Sequence, residues 1–154
     1  MMVNTLPANA ECNCFAVRAA ARHVSQSYDQ FLAPTGLRTT QFSILTKLKR
    51  RGPVTINTLA EDMVMDRTTL GRNILPLERD GLIRIEPSAS DRRAKELHLT
   101  KAGEKRLQAA LKRWSQAQTR FATVFGAKRA ADLRALLRAA VRSQFAPAEQ
   151  FTDR

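Results

Sequence analysis

Asp66-Arg67-Thr68-Thr69-Leu70-Gly71-Arg72-Asn73 gathers two guanidiniums, an amide and two threonine hydroxyls in a short run. Arg can pair bidentately with guanine, Asn with adenine, and Thr can touch a thymine methyl or a phosphate. On a helix, Arg67, Thr68, Thr69, Arg72 and Asn73 point away from the face holding Leu70 and Ile74. An ordinary solvated helix has the same composition, so the neighbouring segments must decide. Pro87-Ser88-Ala89-Ser90-Asp91-Arg92-Arg93 is a polar, basic loop, and Lys95 follows it. A basic loop beside such a helix can reach an adjoining groove or phosphates, which adds Arg92, Arg93 and Lys95 to the candidates. Thr39, at the start of an earlier helix, is another candidate contact.

Charge points the same way. Lys and Arg number 26 against 14 Asp and Glu, a formal net charge of +12, with a pI near 11.0. A polyanion is the favoured partner, nucleic acid before an acidic membrane surface. Enzymatic chemistry finds little to work with. Two His and two Cys do not supply a convincing four-ligand zinc site. The chain shows no Gly-rich phosphate loop, nucleophile elbow or His-Glu-x-x-His. His23 and His98 read as ordinary surface or interface residues, and neither metal nor cofactor is expected. Cys12 and Cys14 are too close in sequence to staple a secreted scaffold. There is no signal-like leader, and no apolar run of the roughly 18 residues a membrane span needs. The default expectation is cytoplasmic, with no membrane partner.

The elements that must position these groups follow from periodicity. Residues 1–10 read as a flexible leader. Cys14, Val17, Ala21, Val24, Tyr28 and Phe31 recur at helical spacing until Pro34 and Gly36 intervene. Thr39 is placed to cap a second helix with Phe42, Leu45 and Leu48 inward. Thr55 caps a short third helix, and Asp66 a fourth that ends at Gly81. Pro76 should kink its last turn. The period then changes: residues 82–85 and 96–99 alternate, predicting a two-stranded hairpin around the basic loop. Thr100 caps a fifth helix whose stripe is Leu107, Leu111, Trp114, Phe121 and Phe125. Beyond Gly126 a sixth runs from about Lys128 to Phe145, with Leu133, Leu136, Leu137 and Ala140 inward. The fold class is mostly α with a small β-hairpin wing, a winged helix-turn-helix domain at 38–100. Helices at 11–37 and 101–146 flank it, and 147–154 form a tail. Two short helices followed by a basic hairpin suit a duplex, the second helix lying in a groove. The flanking stripes exceed what so small a domain can bury, and a homodimer is the economical reading.

Leu77-Glu78-Arg79-Asp80-Gly81-Leu82-Ile83, Asp91-Arg92-Arg93 and Leu99-Thr100-Lys101-Ala102-Gly103 together resemble the MarR family of transcriptional regulators. Asp66-Arg67-Thr68-Thr69-Leu70 is similar to that family's recognition-helix opening. The resemblance spans about Cys14 to Phe145. It implies a winged-helix dimer on a pseudo-palindromic operator of double-stranded DNA. It also implies that Arg93 enters the minor groove while Asp91 holds it, which suits a narrow, negative groove. A local Asp91–Arg93 ion pair is the plainer alternative. Thr58 departs from the acidic residue often found early in the third helix.

The expected role is a repressor released by a small aromatic or acidic effector. Arg18 and Arg22, with Tyr28, could meet such an anion, although the two Arg could equally be solvated or paired with Asp29 or Asp132. One alternative is redox sensing at Cys14: Cys14-Phe15-Ala16 with Tyr28 resembles the hydroperoxide-sensing branch of the family. Fourteen residues of helix span about 21 Å, so Tyr28 could reach only a partner's Cys14, across antiparallel helices. Arg18 and Thr39 stand where that branch offers further tyrosines. A small apolar Cys14 buried in the dimer interface is the plainer reading. A non-specific DNA-coating protein is a further alternative, which the mixed polar face disfavours.

Overall fold

Thr55 and Asp66 start their helices as the sequence suggests. In a computed structural model describing residues 9–144, Thr55 Oγ1 accepts from the Thr58 N–H at 3.2 Å. Asp66 Oδ1 accepts from the Thr69 N–H at 2.8 Å. The elements run α1 (Asn13–Leu32), a 3-10 turn, α2 (Thr39–Arg51), β1 (Val54–Thr55), α3 (Ile56–Met63) and α4 (Arg67–Arg79). Then come β2 (Ile83–Pro87), β3 (Lys95–Leu99), α5 (Lys101–Phe125) and α6 (Ala127–Arg142). The leader lies largely outside the described residues, which open on a 3-10 turn at Asn9–Glu11. The proposed tail at 147–154 and Phe145 also lie outside them.

The chain divides into a unit ending at Ala117 and one beginning at Gln118. The first holds the core: Leu32, Ile44, Leu45, Leu48, Leu59, Leu70, Leu77, Ile83 and Leu97 are nearly or wholly inaccessible. Phe42 is buried too and stacks on Trp114, ring centres 6.0 Å apart. The hairpin has one more strand than expected. β1 pairs antiparallel with β3, giving the order β1-β3-β2. Two residues are too few to show alternation, so only the capping role of Thr55 was visible. Thr39 is a second correction, because Arg38 occupies the capping position. Thr39 instead donates both its N–H and its Oγ1 to Asp29 Oδ1, each at 2.7 Å, tying α2 to α1.

Two turns set the approach to the hairpin. After α4 the Gly81 N–H donates to the Glu78 carbonyl, and the Leu82 N–H reaches back to Leu77. This pairing needs a left-handed residue between, and Gly81 has φ +70. Thr100 Oγ1 then donates to the Gly81 carbonyl at 2.7 Å and accepts from the Gly103 N–H at 3.0 Å. A Cβ on Gly103 would overlap the Leu82 carbonyl. Pro76 lies inside α4, which continues to Arg79.

The stripes of the flanking helices are not buried by this chain. On α1, Cys14, Val17 and Ala21 are exposed, Val24, Tyr28 and Phe31 half-buried, and Leu32 alone is fully covered. In the second unit the Phe121 and Phe125 rings lie 5.3 Å apart. The Arg129 guanidinium sits 4.4 Å over Phe125. Ala130 is buried, but Leu136, Leu137, Ala140 and Val141 of α6 are exposed and Leu133 is half-buried. The expectation that these α6 residues point into a core does not hold for a single chain.

Candidate nucleic-acid interface

The start of α4 is built by its cap. Thr69 gives Asp66 both its N–H and its hydroxyl, the latter at 2.7 Å. Those bonds favour the ionised form and hold the Asp66 carboxyl below its ordinary range, the Thr69 backbone bond being the largest cause. The Thr69 hydroxyl is therefore occupied within the chain. Asn73 is half-buried and its amide donates to the Thr69 carbonyl at 2.9 Å, which orients it and leaves its oxygen and one N–H available. Arg67, Thr68 and Arg72 are exposed. Thr68 and Arg72, one turn apart, share the face opposite Leu70, Ile74 and Leu77.

The wing is organised by Ser88, which is 3% exposed. Its N–H donates to the Ala94 carbonyl at 2.8 Å, and its hydroxyl to Glu96 Oε1 at 2.6 Å. Asp91 Oδ1 accepts from the backbone N–H of Arg93 at 2.9 Å. Asp91 thus shapes the loop, and no Asp91–Arg93 ion pair forms among the described residues. The side chains of Arg92, Arg93 and Lys95 are exposed.

The two elements meet. Arg67, Asp91, Arg93 and Lys95 line one cleft together with Thr55, Ile56, Asn57 and Ala94. Three cations against one carboxylate make it a place for phosphate or a groove edge. Among the described residues none of Arg67, Arg72, Arg92, Arg93 and Lys95 lies within ion-pair distance of a carboxylate. Lys49, Arg51, Arg79 and Arg84 are each paired, with Glu104, Asp62, Asp80 and Glu86 respectively. Asn57 was missed by sequence reasoning; its only signal was a polar residue at the second position of α3. Thr39 belongs to the α1–α2 junction and not to this cleft.

The other sequence candidates lie elsewhere. Arg18 and Arg22 are exposed on α1, and their suggested carboxylates are engaged otherwise. Asp29 takes Thr39, and Asp132 takes Lys128 at 2.7 Å. Tyr28 is half-buried. Cys14 is exposed in the single chain, on the same uncovered stripe of α1 as Val17 and Ala21, while the half-buried Cys12 caps α1 through its sulfur, 3.4 Å from the Phe15 nitrogen. No group of ligands able to hold a metal occurs among the described residues, and no helix there is long and apolar enough to cross a membrane.

The family model described as "MarR family" matches residues 37–95, from just before α2 to the first residue of β3. The crystal structure of the M. tuberculosis transcriptional regulator MosR is 34% identical and covers 88% of this chain and 100% of its own, with TM-score 0.74. The same regulator in complex with DNA is 36% identical over the same shares, again at TM-score 0.74. CouR of Rhodococcus jostii RHA1, a transcriptional repressor bound to a 23-mer DNA duplex, is 25% identical, with TM-score 0.78 over 90% of this chain and 100% of its own. An HTH-type transcriptional regulator of Bacillus subtilis (strain 168), YwoH, is 30% identical over 90 residues, which span 58% of this chain and 65% of YwoH. With a regulator matched over its full length, and with the helix, turn, helix and wing all in place, the chain belongs to the MarR family of DNA-binding transcriptional regulators and is not an enzyme.

Proposed function

We propose that the chain is a cytoplasmic homodimeric repressor that binds a pseudo-palindromic operator through α4 and the wing, and that a small acidic effector releases it. The observation that carries this reading is the cleft where Arg67 of α4 meets Arg93 and Lys95 of the wing, beside the exposed Thr68 and Arg72. A DNA-coating protein needs only cations aimed at phosphate; here the cations border a face of mixed donors. Dimerisation is supported by the uncovered stripes of α1 and α6, with Phe15 44%, Val17 51%, Leu136 69% and Val141 63% exposed. Repression is supported by the likeness to the transcriptional repressor CouR.

For the effector, two places suit an anion. Arg18 and Arg22 lie one turn apart on α1. A groove between α2 and α5 has an aromatic floor of Phe42 and Trp114, with Lys47 and Arg50 at its edge. The test is an in vitro selection from random duplexes, followed by affinity for the selected and a scrambled duplex in the same salt. A preference of at least about 10³-fold is expected of a specific regulator. Equal affinities would return the chain to the coating class.

Cys14, exposed in the single chain, supports a second reading, release by oxidation. Treating the DNA-bound protein with an organic hydroperoxide should release the native chain and spare Cys14→Ser. Equal behaviour of the two makes Cys14 structural.

A further inference from the structure

We propose that Gly71 and Leu75 form an apolar notch on the reading face of α4 that receives the 5-methyl group of a thymine in the major groove. The proposal rests on the reading that α4 enters that groove, and it adds a base-discriminating contact that neither Arg72 nor Asn73 supplies.

Leu75 is 64% exposed, whereas Leu70, Ile74 and Leu77 of the same helix are at most 2% exposed. A single exposed leucine is commonplace; its position is the point. Leu75 follows Arg72 by three residues and Thr68 by seven, so the three share one stripe. Gly71 sits one turn before Leu75, and nothing in the chain accounts for it. A Cβ at Gly71 would meet no atom within 4 Å, and its φ is not positive. Glycine is the poorest helix former after proline, so an interior glycine beside open space weakens α4 for no internal gain. Gly103 makes the contrast, because there a Cβ would overlap the Leu82 carbonyl.

Over Gly71 the surface is open, so a group can approach the helix backbone there without meeting a side chain of this chain. Leu75 lies one turn further on and Thr68 one turn before. The backbone there is helical and already hydrogen-bonded, so it offers no polar partner. Among the groups that base pairs display in the major groove, the thymine methyl is the apolar one.

The experiment uses the full chain and the duplex selected from random DNA. Each thymine of a half-site is replaced in turn by deoxyuridine, which lacks only the methyl. One position should weaken binding about three- to five-fold per half-site, the effect of losing one buried methyl. In Leu75→Ala that position should become indifferent to the replacement. Gly71→Ala should raise the melting temperature and yet weaken binding to the selected duplex, two effects of opposite sign that a structural role would not produce. Deoxyuridine tolerated everywhere, or a penalty unchanged in Leu75→Ala, overturns the notch and leaves the regulator reading standing. Gly71→Ala binding as tightly as the native chain removes Gly71 from it. A selection that yields no preferred duplex overturns the regulator reading itself, and the notch with it.

Discussion

Arg93 and Arg72 stand on different elements and differ in what they can read. Arg93 projects from a loop that Asp91 and Ser88 hold, so Arg93→Ala should weaken operator binding by about 1–3 kcal/mol with melting unchanged. Arg72→Ala should instead flatten the preference for one base pair in each half-site; a titration against single-base variants of the selected duplex separates the two. Asp66 acts on α4 by a different route. Its folded carboxyl is held below the ordinary value of 3.8 by Thr69. A depressed carboxyl contributes stability that is fully present above the unfolded value and is lost as pH falls through the folded one. Urea midpoints measured from about pH 5 to about pH 2 should therefore fall less steeply in Asp66→Asn than in the native chain. Parallel curves would show that the cap does not depend on its charge.

At the scale of elements, the meeting of α4, β2 and α5 is the tightest constraint. Gly103→Ala puts a methyl against the Leu82 carbonyl and 2.7 Å from Leu99 Cδ1. The expected cost is on the order of 1–3 kcal/mol or more, read as a lower melting temperature by circular dichroism. Helices α3 to α5 were legible because each carries a cap, at Thr55, Asp66 or Thr100, and an apolar period of three to four, and α2 was legible from its period alone. The wing was legible because Ile83 and Ile85 alternate with charged residues. What local signals could not carry was long-range. β1 exists only by pairing with β3, and Thr39 is fixed by Asp29 from another helix. Of the candidate site, the exposed Arg67, Thr68, Arg72 and Arg93 were readable as residue types at helical or loop positions. The internal engagement of Thr69 and the cleft position of Asn57 required the fold.

For the whole molecule, the uncovered faces of α1 and α6 call for a second copy. A homodimer should place its two α4 helices about one duplex turn, roughly 34 Å, apart. Sedimentation at micromolar concentration should show twice the 17.2 kDa chain mass, and inserting five base pairs between half-sites should abolish tight binding. A monomer that still binds the palindrome tightly would dispose of the dimer.

Thr100 connects these scales. Its hydroxyl joins the turn that ends α4 to the first turn of α5, and its N–H donates to Leu82 at 3.1 Å. A side chain bonded to both elements makes their states interdependent, and thermodynamic reciprocity then applies. If DNA binding at α4 moves the turn that Thr100 holds, a shift in the first turn of α5 should change affinity for DNA, and DNA should shift that turn by the same free energy. Occupancy of the operator should consequently slow hydrogen exchange at Glu104, whose N–H donates to the Thr100 carbonyl at 2.8 Å, although Glu104 was assigned no role in DNA contact. Thr100→Val keeps the shape and that backbone bond but removes the hydroxyl bridge, so DNA should no longer slow exchange there. Equal slowing in both proteins would mean that the message from α4 to α5 travels by another route.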